Sequence, residues 1–312
     1  MGVGAALAPL VVLLCLQAGC SPDFTWRFGF GFGAMVSLLN MVLRLLLVED
    51  SEGFKAQQVH NEKEGWRRSA TKLRKYSRLL VGTCGAWFLY DTVDYGLALC
   101  SSTLAEESVG TDSKQTAASL LLYALMALPG CYAAAIALPC LGRKPAYILG
   151  ISCMMVVFLV LAAFYDQIVH SPMLYNFIFG LQMFFNNAGP SASTFVIPGE
   201  VFPTAVRATA VGLSAASGKL GAVAGVYGIG MLQGSVGARG VFAAIVLVCL
   251  GTVLFAGAFL PNYDDRALAR LEEVDKRGSQ VELYALLYGG GAVGRCELAK
   301  PRLHDDPLAD RA

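Results

Sequence analysis

Three ionisable residues sit in stretches too apolar to carry a charge casually: Asp91 and Asp94 in "WFLYDTVDY", and Lys219 in "SAASGKLGAVAG". Trp87, Asp91 and Tyr95 are spaced i, i+4, i+8, so one helix face would offer an indole N–H, a carboxylate and a phenol. Lys219 falls among very small residues that let a neighbouring helix approach closely. Ionisable groups at membrane depth are costly and face a partner or a cavity. Two readings are open. Asp91 and Lys219 neutralise each other and tie two helices together, or Lys219 binds an anion while Asp91 carries a proton. In the second reading the charge on Asp91 follows whether the ammonium is occupied. Asp94 lies about a quarter turn off the shared face, and its role stays open. Asn186 and Asn187 precede "AGPSASTF", where Gly189 and Pro190 can break a helix and Ser191 and Ser193 bring hydroxyls. Such a break exposes backbone groups to a central cavity, or it is a packing kink. Gly221 and Gly225 form a small-xxx-small pair that reads as packing.

The elements that would position these residues follow from composition. Of the 312 residues 55% are apolar and 15% charged, against about 25% charged in an ordinary soluble domain. The mean hydropathy is +0.55. The net charge of +1 excludes a general case for nucleic-acid binding. Nine cysteines without CxxC spacing and the dispersed His60, His170 and His304 indicate neither a metal site nor a disulfide framework, and no cofactor is expected. No nucleophile–base pair suggests an enzyme.

A membrane-length window gives eight spans, near 3–20, 28–48, 79–100, 116–140, 146–168, 173–198, 208–233 and 239–261. The fold class is therefore all-α, a polytopic membrane protein. The first span has a secretory-signal alternative ending at Cys20, but it lacks a basic start and Gln17 suits a cleavage site poorly. Between the second and third spans lie Lys63, Arg67, Arg68, Lys72, Arg74, Lys75 and Arg78, while residues 101–115 carry Glu106, Glu107 and Asp112. The basic side is cytoplasmic by the positive-inside rule, and an even span count puts both termini there.

Four stretches then resemble the phosphate:proton symporter branch of the major facilitator superfamily. They are "TWRFGFGFGAMVSLLNMVLRLLLVEDSEGF", "GTCGAWFLYDTVDYGLAL", "GRKPAYILG" and "NAGPSASTFVIPGEVFPTAVRATAVGLSAASGKLGA". "EVFPTAVRAT" alone would fit sugar porters as well. The resemblance covers roughly residues 1–275 and begins in the family's fifth helix, which implies a partial major facilitator fold. Residues 1–50 would be the last two helices of the N-terminal half and 51–78 a basic cytoplasmic linker. Residues 79–261 would be the six-helix C-terminal half and 262–312 a flexible cytoplasmic tail.

The resemblance implies a proton-coupled inorganic phosphate transporter in the plasma membrane, with phosphate, a proton and the lipid bilayer as partners. Trp87, Asp91, Tyr95, Ser191 and Lys219 would line the phosphate site, with Asp91 coupling to the proton. Gly142, Arg143, Lys144, Glu200 and Arg207 would form the cytoplasmic gating network. The sequence departs from the family pattern at Pro139, where an Asp is usual, at Ser191, where Asn is usual, and at Asp94, where an aromatic residue is usual. The family's first four helices supply part of its site, so a missing N-terminal half or a second copy would be needed to close it. A sugar or organic-solute porter and a non-transporting membrane fragment are the alternatives.

Overall fold

The computed structural model describes residues 2–47, 73–109, 113–263, 265–277 and 280–288. Among these, regular structure is entirely helical. The helices are α1 (Gly2–Gln17), α2 (Pro22–Leu47), α3 (Ser77–Val109), α4 (Ser113–Leu141), α5 (Arg143–Ile168), α6 (Pro172–Ala188), α7 (Pro190–Val201), α8 (Thr204–Phe259), α9 (Asp265–Arg277) and α10 (Gln280–Tyr288). Lys63, Arg67, Arg68 and Lys72 of the basic linker lie outside the described residues.

Four helices (α2, most of α4, α5 and α8) are long and apolar enough to cross a membrane. The others depart for visible reasons. Asp91 and Asp94 lower the apolarity of the continuous α3, α1 has 16 residues, and the span expected at 173–198 is divided between α6 and α7. Pro190 divides it, because a proline has no N–H to continue the helix and suits a first-turn position instead. Both halves begin on a proline, Pro172 and Pro190.

Helix α8 has 56 residues, a length of about 84 Å if straight. It is two legs joined at Gly237, whose φ of 68° is the left-handed conformation that glycine adopts most cheaply. The direction of each leg can be read against α3. Gly218, Gly221, Gly225 and Ile229 meet Trp87, Phe88, Thr92 and Gly96 in rising order. Phe259 and Phe255 meet Gly82 and Gly85 in falling order. The chain therefore turns back at Gly237, matching the two spans expected there.

The core lies where α3, α5, α6 and both legs of α8 converge, around the fully buried Tyr147, Phe158, Phe179, Phe202 and Phe242. Polar contacts between helices are few and well placed. The Tyr147 hydroxyl donates to Ala86 O at 2.9 Å, Thr83 and Ser214 share a hydroxyl pair at 2.8 Å, and Ser217 Oγ donates to Cys84 O at 3.1 Å. Outward, Tyr132, Ile136, Leu220, Leu247 and Leu254 are exposed, an apolar perimeter suited to lipid rather than water. Helix α2 is exposed along nearly its whole apolar length, and only Thr25 is buried.

Residues 265–288 differ from the flexible tail expected from composition. Ala267, Leu271, Leu283 and Leu287 are buried against the bundle. Lys75 Nζ pairs with Asp275 Oδ1 at 2.7 Å, Tyr76 hydrogen-bonds to the same carboxylate, and Asn262 N donates to Leu287 O at 2.9 Å. Apolar spacing at Ala267, Leu271 and Val274 makes one face of α9 adhesive, which outweighs the polar composition of the segment. The "YGGGAVG" stretch runs from Tyr288 out of the described residues.

Candidate functional site: a cation-bearing wall and a charge latch

Helices α3 and α8 meet backbone to backbone. A Cβ on Gly221 would stand 2.1 Å from Phe88 O, and one on Gly225 would stand 2.1 Å from Thr92 O. The Thr92 hydroxyl donates to Gly221 O at 3.1 Å. Gly221 and Gly225 are thus the packing seam that small-residue spacing produces. This close seam sets the site, because it brings the side chains just before it into contact.

Lys219 Nζ lies 3.5 Å from Asp91 Oδ2 and donates to Tyr95 Oη at 2.6 Å, with the ammonium 4.2 Å from the Tyr95 ring centre. The two charges differ sharply in setting: the Asp91 side chain is 3% exposed and that of Lys219 is 62% exposed. Among the described residues, buried Asp91 Oδ2 has the long Lys219 ion pair and no close hydrogen bond. Trp87 is buried beside the carboxylate and packs edge-on against Phe195 at 4.7 Å. Trp87, Asp91, Tyr95 and Lys219 therefore form one patch, with the cation on its open side.

Ser191 enters differently. It hydrogen-bonds with Tyr90, whose ring is buried one residue before Asp91. Ser193 is turned away and donates to Arg143 O at 3.3 Å. Asp94 faces α6, where Asn186 Nδ2 donates to its Oδ1 at 2.7 Å.

Sequence reasoning missed two residues here. Gly218 admits the Trp87 and Asp91 side chains, which would come within 2.3 Å and 2.9 Å of a Cβ at that position. Its place directly before Lys219 was the available signal. Tyr90 gave none, since one aromatic among several carries no positional information.

At the end of the bundle where α5 starts, Arg143 Nε and Nη2 donate to Glu200 Oε2 and Oε1 at 2.9 and 3.0 Å, a bidentate pair. The Tyr263 hydroxyl donates to Glu200 Oε2 at 2.9 Å, and the exposed Asp265 meets Arg143 Nη2 at 2.9 Å. Burial, reinforced by the Glu200 carboxylate, pushes the Tyr263 phenol well above its ordinary range, so it remains a donor. Gly142 starts α5 with a φ of 91°. Lys144 and Arg207 stand outside this pair. Lys144 Nζ caps α8 by donating to Gly257 O and Leu260 O, both at 2.8 Å, and Arg207 Nε donates to Phe202 O at 2.9 Å. Tyr263 and Asp265 lie beyond the last span, where no local pattern pointed back to Glu200.

These helices and their order match known proteins. The profile of the family described as "Sugar (and other) transporter" matches residues 54–274. The chain belongs to that family. Glycerophosphoinositol permease 1 of Candida albicans (strain SC5314 / ATCC MYA-2876) is 31% identical over 270 residues, covering 85% of this chain and 51% of the permease. Inorganic phosphate transporter PHO84 of Saccharomyces cerevisiae (strain ATCC 204508 / S288c) is 34% identical over 166 residues, 51% of this chain and 28% of that protein. The chain thus spans about half, or less, of the curated relatives it matches. A crystal structure of a double-Trp mutant of XylE superposes with a TM-score of 0.65 at 16% identity, covering 86% of this chain and 63% of that one. It shows the fold: a partial major facilitator bundle, as the sequence resemblance implied.

Proposed function

We propose that this chain supplies one wall of an inorganic phosphate site in a proton-coupled transporter of the plasma membrane, with both termini cytoplasmic. The observation that carries the reading is Lys219, an ammonium 62% exposed and backed by the buried Asp91. An exposed intramembrane cation needs an anion or water in front of it. A neutral sugar offers no counter-charge. A lysine is a sound point-charge ligand for phosphate, and the Tyr95, Trp87 and Ser191 donors would complete its oxygen shell. Asp91 would hold the coupling proton, since an anion on Lys219 alters the field at its carboxylate. The Arg143–Glu200 pair would latch the cytoplasmic end while the two halves rock around the site.

A second substrate reading has its own support, because the glycerophosphoinositol permease of C. albicans matches 85% of this chain. Both substrates present a phosphate oxyanion to the lysine. The test is uptake by the chain fused behind the preceding helices of the S. cerevisiae relative, expressed in cells lacking phosphate uptake. Radiolabelled phosphate should accumulate, more at acid pH, and excess unlabelled phosphate should compete. Uptake of radiolabelled glycerophosphoinositol but not of radiolabelled phosphate would move the substrate to the phosphodiester. Transport of a neutral hexose without either would discard the anion site.

A further inference from the structure

Asp94 takes no part in the patch around Lys219. Its only described hydrogen bond comes from Asn186 Nδ2 at 2.7 Å, and it makes no ion pair among the described residues. Asn186 is 4% exposed, and its own Oδ1 is buried without a hydrogen-bond partner. One helical turn earlier on the same face of α6, Gln182 is 1% exposed, and its Oε1 is likewise buried without a partner. The region therefore has two acceptors in surplus, the buried Asn186 Oδ1 and Gln182 Oε1, and an ionised Asp94 beside Asn186 has no hydrogen to donate. Buried polar atoms in native proteins are almost always paired, so this surplus needs an addition. The smallest one is a proton, which turns a carboxylate oxygen into a donor.

We propose that Asp94 and Asn186 form a proton-binding site between α3 and α6, one helical turn from Gln182 and distinct from Asp91. The charges facing it favour this. Among the described residues, Asp91 and the Tyr90 phenol come from α3, the Asn186 amide from α6, and Ser191 through Tyr90 from α7. The cation acting on it among the described residues, Lys219 on α8, is engaged by Asp91 and Tyr95. Two carboxylates one turn apart on α3 share a single ammonium, and like charges so placed disfavour double ionisation. The second acid is then the one without the lysine. Because this site needs no anion on Lys219, phosphate binding can fail while it stands.

The experiment is pH-difference infrared spectroscopy of the purified full chain in phosphatidylcholine vesicles, in potassium buffer. Acidification should produce a carboxylic-acid carbonyl band that is kept in Asp91→Asn and lost in Asp94→Asn. Asn186→Leu, made in the Asp91→Asn background, should raise the pH at which the band titrates by about one to two units, because the ionised form loses its amide donor. An Asp94 that is ionised scaffold gives a spectrum unchanged by Asp94→Asn, and that result overturns the proposal. If Asp94→Asn does not reach the membrane, the Asn186→Leu arm decides, and an unmoved titration overturns it. Loss of the band on adding sodium would assign the cluster to an alkali cation instead.

Discussion

Lys219 and Asp91 are paired in space and differ in what their loss should do. Lys219→Ala removes a charge-assisted contact to the anion, worth about 1.5–3 kcal/mol, and should weaken phosphate binding roughly tenfold to a hundredfold in the fused transporter. Asp91→Asn imitates the protonated acid, so binding should persist while the pH dependence of uptake flattens. A purely structural pair behaves otherwise: each single variant loses surface abundance and the double neutral variant regains it with unchanged phosphate affinity. Measuring abundance, affinity and pH-dependent uptake for all three separates the cases. Gly218→Ala addresses the same wall without touching a charge. Its new Cβ meets Trp87 Cδ1 at 2.3 Å and Asp91 Oδ2 at 2.9 Å, so both must move. Displacement on that scale should lower kcat/KM for phosphate by about tenfold to a hundredfold, with normal surface expression; unaltered kinetics would show that Trp87 and Asp91 do not position substrate. Much of this wall was legible beforehand. Trp87, Asp91 and Tyr95 recur at helical spacing, and a lysine among alanines and glycines is conspicuous against an apolar background. Tyr90 and Gly218 were not legible, because their importance comes from what the neighbouring helix brings within reach.

Among the elements, α3 and α8 are held at contact distance by their glycines. Gly221→Leu places a Cβ 2.1 Å from the Phe88 carbonyl, and backbone cannot yield as a flexible side chain can. Overpacking of this kind costs about 1–3 kcal/mol, and the membrane-inserted fraction should fall in a protease-protection assay. Gly228→Ala, on the same leg but with open space around its Cβ, should leave that fraction unchanged. Equal effects of the two substitutions would mean that helix propensity, not the seam, governs the element. Spans were readable from continuous apolarity, and the Gly189–Pro190 break was readable from residue type. The α9–α10 hairpin was missed because its charged composition concealed the spacing of Ala267, Leu271 and Val274. Lys144 and Arg207 show the complementary limit: both are basic residues at helix ends, yet they satisfy backbone carbonyls instead of joining Arg143 and Glu200.

At the scale of the whole molecule, the open side of Lys219 matters most. No wall of described residues covers the ammonium, so this chain reconstituted alone should give no saturable phosphate uptake, and the fused form should restore it. Robust uptake by the chain alone would point instead to two copies facing each other. Orientation can be checked separately. The basic segment 63–78 should be cytoplasmic, so Ser69→Cys in intact cells should resist a membrane-impermeant thiol reagent and react once the membrane is opened; labelling before permeabilisation would invert the topology.

The reversal at Gly237 also bears on how the molecule is made. A turn through one glycine leaves no tether on which the ribosome-bound chain could rest between two insertion events. Both legs of α8 are therefore expected to insert as one helical hairpin with Gly237 at its tip. That tip carries Arg239, a costly passenger. Its guanidinium ends up on Ala162 O at 3.0 Å and Asp166 Oδ2 at 3.3 Å, at the far end of α5. Because α5 precedes α8 in the chain, the receiving carboxylate is already made when the hairpin forms, and the order of the helices along the chain becomes an order of assembly.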